Sequence, residues 1–276
     1  MTGRLVDLTR FETLGILRRR WYLILIAIGA LTVPIAAITA ASHVAALEAD
    51  SYRASAASLM LIGGLIAALA LGATTISTGG ASGHLGLLVA AGAGRTQVTV
   101  ARLVGRFAAL VVALAAWCLA LQAGSAALGR GLDGPLAVHV AASLESLTVV
   151  MLAAAATSTV MGPAVAVVVG LIVHVTAQAV VNLQAAANLG FIRTWDRLAQ
   201  VAYNLSPRAV YSPMIVDMQN RGQGGPAAPR FELNQVNRGK VPIPLEAASL
   251  GTVLWTAFWC ALLAWLCVLG MRRRPL

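Results

Sequence analysis

His174, Gln178 and Asn182 follow one another at four-residue steps inside an apolar run, so a helix would bring an imidazole and two carboxamides onto one face. These groups can form hydrogen bonds, and only the imidazole titrates near neutral pH. Polar groups in hydrocarbon are costly and turn toward the bundle interior, a partner helix or water. The three residues read either as a polar face on a translocation pathway or dimer interface, or as glue between helices. Glu145 is the sole carboxylate inside any apolar run, and its position reads as close to an outer interface. With so few ionisable groups in the apolar runs, an ion-coupled carrier is poorly supported. Energy for uphill movement is then expected from another subunit.

Other chemistries find little to work with. A phosphate-binding P-loop needs Gly-Lys followed by Ser or Thr, and the single lysine, Lys240, precedes Val241. Nucleotide hydrolysis by this chain is not expected. Cys118, Cys260 and Cys267 lie in apolar runs without metal-type spacing and read as small packing residues. His43, His84, His139 and His174 are scattered. No catalytic residue, metal or cofactor is expected on this chain.

The elements that must carry these residues are membrane helices. Six apolar stretches, at about 21–41, 56–77, 107–128, 138–161, 163–183 and 247–270, make up about half of the chain. Each meets or nearly meets the ~20 residues that a helix needs to cross ~30 Å of hydrocarbon. Hydrophobic residues make up 59% of the chain and charged residues 11%, far from soluble proteins. The expected fold is an all-α integral membrane protein with six transmembrane helices over 21–276, an amphipathic interfacial helix over 1–20, and one long extracytoplasmic segment, 184–246.

The net charge of +10 does not point to nucleic acid, because the arginines cluster beside the spans. Arg4, Arg10, Arg18, Arg19, Arg20, Arg95, Arg102, Arg106, Arg272, Arg273 and Arg274 fall on one side, against only Asp7 and Glu12. The positive-inside rule places that side, with both termini, in the cytoplasm. A multi-pass protein of a bacterial cytoplasmic membrane is expected, and no cleavable signal is evident.

Within the first twenty residues, Leu5, Leu8, Phe11, Leu14 and Leu17 recur every third position among charged ones. That spacing suits a helix lying in the interface, bound to membrane lipid. The segment 78–106 is the most informative polar stretch. A Gly-rich break at 78–83 ends the second span, His84–Ala91 is a short helix candidate, and 92–96 is a turn with Thr96 as a possible N-cap. Gln97 to Arg106 then leads helically into the third span.

The order Gly-His-Leu-Gly-Leu-Leu, then Gly-Arg-Thr-Gln-Val-Thr-Val-Ala-Arg-Leu-Val-Gly, resembles the cytoplasmic coupling loop of type-2 ABC exporter permeases. Phe11-Glu12 before Arg18-Arg19-Arg20-Trp21, and Asn204-Leu205-Ser206-Pro207, are similar to other segments of that family. The acidic residue usual beside the short helix is replaced here by Gly86 or Ser82. The resemblance implies that His84, Leu85, Leu87, Leu88, Arg95 and Arg102 dock an ABC ATP-binding subunit, which holds ATP and Mg2+. It also implies pairing with a second permease copy, as homodimer or heterodimer, and places His174, Gln178 and Asn182 near the pathway or dimer axis. The implied function is ATP-driven export, or mechanical transmission across the membrane. The alternative is a stand-alone polytopic protein, an assembly factor or passive channel with no ATPase.

Overall fold

The computed structural model describes residues 2–41, 48–75, 92–129, 131–132, 134–188, 196–207 and 250–273. Eight helices occupy them: α1 (Thr2–Leu17), α2 (Arg20–Ala41), α3 (Glu48–Ala73), α4 (Arg95–Ala127), α5 (Gly134–Ser158), α6 (Pro163–Asn188), α7 (Asp196–Leu205) and α8 (Leu250–Arg273). No strand occurs among the described residues. α2, α3, α4, α5, α6 and α8 are each long and apolar enough to cross a membrane, so the chain is a multi-pass membrane protein.

The third expected span begins earlier than its apolar run. α4 is one unbroken helix of 33 residues, about 50 Å long at 1.5 Å per residue, and so outreaches a 30 Å hydrocarbon layer. Its first three turns, Arg95 to Arg106, lie ahead of the apolar run and include Gln97 to Arg106, the stretch expected to lead helically into the span. Gly94, not Thr96, is the N-cap residue, and its N–H donates to the Gln97 carboxamide at 3.2 Å. The second span, expected to reach residue 77, ends its helix at Ala73.

α3, α4 and α5 form the centre. Of the apolar windows in α3 and α5, 56% is buried, against 17% in α2, 28% in α6 and 11% in α8. The outer three helices therefore turn most of their surface outward. On α2, Ile24, Ile28, Leu31, Ile35 and Ile38 make one exposed stripe, the pattern expected of a face solvated by lipid. Small residues set the closest contacts, since helices without a hydrophobic drive between them associate by packing. Gly29 and Gly63 leave the space that the Trp117 ring fills, and Gly72 lies against the Met151 carbonyl and Ala154.

Polar tips fix the register of α4. Tyr22 donates its hydroxyl to the Ala109 carbonyl at 2.5 Å, Trp117 its indole N–H to Ile26 at 3.3 Å, and Tyr52 its hydroxyl to Leu121 at 2.7 Å. Each satisfies a group that would be costly bare in an apolar interior.

α1 differs from the expected free interfacial helix. Phe11 and Leu14 stay exposed, as a lipid-facing stripe requires, but the helix also docks on α4. Glu12 and Thr13 come so close to Gly105 that a side chain there would meet both at 3.2 Å, and Ile16 is 2% exposed.

Candidate functional site: the corner where α1, α3 and α4 meet

The last carbonyls of a helix have no partner within it and carry partial negative charge. At the end of α3 those carbonyls belong to Leu71, Thr74 and Thr75, and two arginines one turn apart on α4 answer them. Arg106 donates from Nη1 to the Leu71 carbonyl (3.0 Å) and the Thr74 hydroxyl (2.5 Å), and from Nη2 to the Thr74 carbonyl (3.1 Å). Arg102 donates from Nη1 to the Thr75 carbonyl (3.4 Å) and from Nε to Glu12 of α1 (3.1 Å). Both arginines are 4% exposed. Their planar forks suit this work, since one guanidinium can serve several acceptors in fixed directions.

The corner thus ties three elements together on either side of residues 76–91. α3 enters that segment and α4 leaves it; Arg106 and Arg102 join α4 to the end of α3, and Arg102 joins α4 to Glu12 of α1. A second link closes from α8: Arg272 donates from Nε and Nη2 to the Thr96 hydroxyl, both at 3.4 Å, and Arg95 donates from Nη1 to the Arg272 carbonyl at 3.4 Å.

His84, Leu85, Leu87 and Leu88 lie outside the described residues. Arg95 lies at the outer edge of the corner, half-buried. Arg102, read as a docking residue, is instead committed inside the chain. It is buried between Glu12 and the Thr75 carbonyl at the α3 terminus. Arg106 and Glu12 were not singled out as site residues. The available signal was the Arg102–Arg106 spacing just before an apolar run, where a charge needs a partner; nothing in the spacing named Glu12, ninety residues away.

A double-mutant cycle with Glu12→Gln and Arg102→Gln tests the clamp. The ion pair is shielded, with side chains 14% and 5% exposed. A coupling of about 1–3 kcal/mol is expected in detergent unfolding experiments, well above an exposed surface pair at about 0.2–1 kcal/mol. Additive single effects would show that the pair contributes nothing beyond its separate groups.

Away from the corner, His174 and Gln178 do share a face of α6, with Nε2 of each 3.3 Å apart. His174 is 6% exposed. Its neighbours along that face, Gly170 and Ala177, pack on Leu69 and Ala154 and on Leu61 and Ala142, so the face turns toward α3 and α5. The imidazole is therefore inside the single chain and not on a surface left for a second copy. Asn182 is helical within α6, and its side chain lies outside the described residues. Glu145, read as near an outer interface, lies within the α5 span, nine residues from Leu136 and thirteen from Ser158.

Neither a protein-family model nor a curated protein sequence matches this chain.

Proposed function

We propose that this chain is the transmembrane permease subunit of an ATP-driven exporter of the type-2 ABC class, seated in a bacterial cytoplasmic membrane with both termini cytoplasmic. The observation that carries the proposal is the clamped corner. The segment that resembles a coupling loop is bracketed by α3 and α4, two buried arginines tie the brackets to each other, and one of them, Arg102, also ties α4 to α1. A loop that receives force from another subunit needs stiff attachments, or the force would be spent on local bending. The excess of eleven basic over two acidic residues on that side supports its cytoplasmic placement.

In this reading a separate ATP-binding subunit binds ATP and Mg2+ and pushes on residues 84–91. Leu85, Leu87 and Leu88 supply apolar contact, Arg95 a charge-assisted hydrogen bond, and Arg102 and Arg106 hold the segment's flanks in place. A second permease copy completes the path, and the chain itself performs no chemistry.

The test is a Leu87→Asp, Leu88→Asp double substitution. Burying a leucine contributes about 1.5–3 kcal/mol, so two buried carboxylates in place of two leucines should release the ATP-binding subunit during purification while the six-helix bundle still inserts. Undiminished co-purification would remove the docking role. A wild-type chain that purifies with no nucleotide-binding subunit would favour the stand-alone polytopic reading.

A further inference from the structure

Glu145 occupies the interior of a membrane span. Its distances from the span's ends, nine and thirteen residues, correspond to about 13 and 20 Å of helix, well inside a hydrocarbon layer of about 30 Å. The side chain turns toward α8, where Thr256, itself 8% exposed, is placed to hydrogen-bond the carboxyl group. Oε1 is buried and has no hydrogen-bond partner among the described residues.

Among the described residues, no countercharge stands at this depth. The basic residues of the spanning helices are Arg20 at the start of α2, Arg53 near the start of α3, Arg95, Arg102 and Arg106 in the first turns of α4, and Arg272 and Arg273 at the end of α8; α5 and α6 have none. Residues 152 and 159 of α5 meet residues 267 and 270 of α8, which sets Glu145 level with the turn that holds Thr256 and Cys260. Cys260 is the titratable group that faces it from α8. The two imidazoles face elsewhere: His139 meets Ala57 of α3 and Ser143, and His174 of α6 bonds Gln178 on the face turned to α3 and α5. An ionised carboxylate with a bare buried oxygen and no cation would be far costlier here than the neutral acid.

We propose that Glu145 is a proton-binding site within the membrane, built at the seam between α5 and α8 with Thr256 as its positioning residue. The acid holds its proton while the seam is dry. Where the seam opens to water, the carboxyl O–H bond breaks, the proton passes to water, and a carboxylate remains; closing the seam requires the proton's return. α8 is suited to such opening. It is the least buried of the six spans, and its close contact with α5 is at Gly270 and Thr159, near its C-terminal end.

Infrared difference spectra of the full chain in lipid nanodiscs test this, with wild type compared with Glu145→Gln and Thr256→Val. At pH 7, where a solvated glutamate of pKa about 4.3 is ionised, the wild type minus Glu145→Gln spectrum should contain a protonated-carboxyl C=O band. Thr256→Val should shift that band by removing its hydrogen bond, which a carboxyl in any other place would not register. Loss of ionised-carboxylate bands in Glu145→Gln would overturn the proposal. Should Glu145→Gln fail to assemble, Thr256→Val alone decides: a shifted carboxyl band upholds the site, and an unshifted spectrum removes it. Neither result depends on an ATP-binding subunit.

Discussion

Replacing Arg106 with leucine is expected to cost about 3 kcal/mol, because it leaves one buried and two part-buried acceptors at the α3 terminus without donors. The Leu71 carbonyl, Thr74 carbonyl and Thr74 hydroxyl all lose the same guanidinium. The Leu71 carbonyl is buried and carries its desolvation penalty in full, while the part-buried Thr74 acceptors carry a share of theirs. The thermal midpoint in detergent should fall by about 6–12 °C. Arg106→Lys should recover only part of the loss, since one ammonium cannot reach three acceptors in the directions a fork provides. Thermal unfolding followed by tryptophan fluorescence measures both variants. Equal stability of Arg106→Leu and wild type would mean that water or another donor already serves α3, and that the corner is not a clamp.

Gly72 carries the second large effect. A Cβ added there would fall on the Met151 carbonyl oxygen and within 2.8 Å of the Ala154 Cβ. Neither backbone nor alanine can swing aside, so α3 and α5 must separate along the seam that forms the centre of the bundle. Gly72→Ala should cost about 1–3 kcal/mol as an overpacked contact, and Gly72→Leu should abolish recovery of folded protein. Gly15 of α1 supplies the contrast, with nothing within 4 Å of its added Cβ. Gly15→Ala should stabilise by about 0.5–1 kcal/mol, the helix preference of alanine over glycine. The two substitutions are chemically identical, so opposite signs in the same unfolding assay would isolate packing from propensity. Loss of stability in both would trace the effect to the backbone and not to the α3–α5 contact.

Much of the architecture was legible in the linear chain. Hydrocarbon thickness imposes a minimum length on any spanning helix, and six runs meet it without help from tertiary context. The helix before the first span was legible from its three-residue apolar spacing, and the i, i+4 placement of His174 and Gln178 follows from helix geometry alone. Boundaries were less legible because lipid solvation, not helix propensity, sets the apolar run. α4 continues as helix well outside that run, through Arg95 to Arg106, since α1 and the α3 terminus give its polar turns something to bind.

Partners in space are what the chain could not disclose. Arg102 was read as a docking residue on the resemblance alone; Glu12, from the helix that precedes the first span, pairs with it inside the chain. The depth of Glu145 was not legible from the apolar run that holds it. Residues 134–137 extend α5 beyond the N-terminal end of the apolar run, which sets Glu145 deeper in the helix than the run alone placed it. The sequence by itself determined that this is a six-span helical membrane protein, because the cost of unsatisfied backbone in hydrocarbon leaves no other use for six such runs. Only the tertiary structure decided which polar groups meet, since hydrogen bonds and ion pairs depend on distances of a few ångströms between residues that the chain keeps far apart.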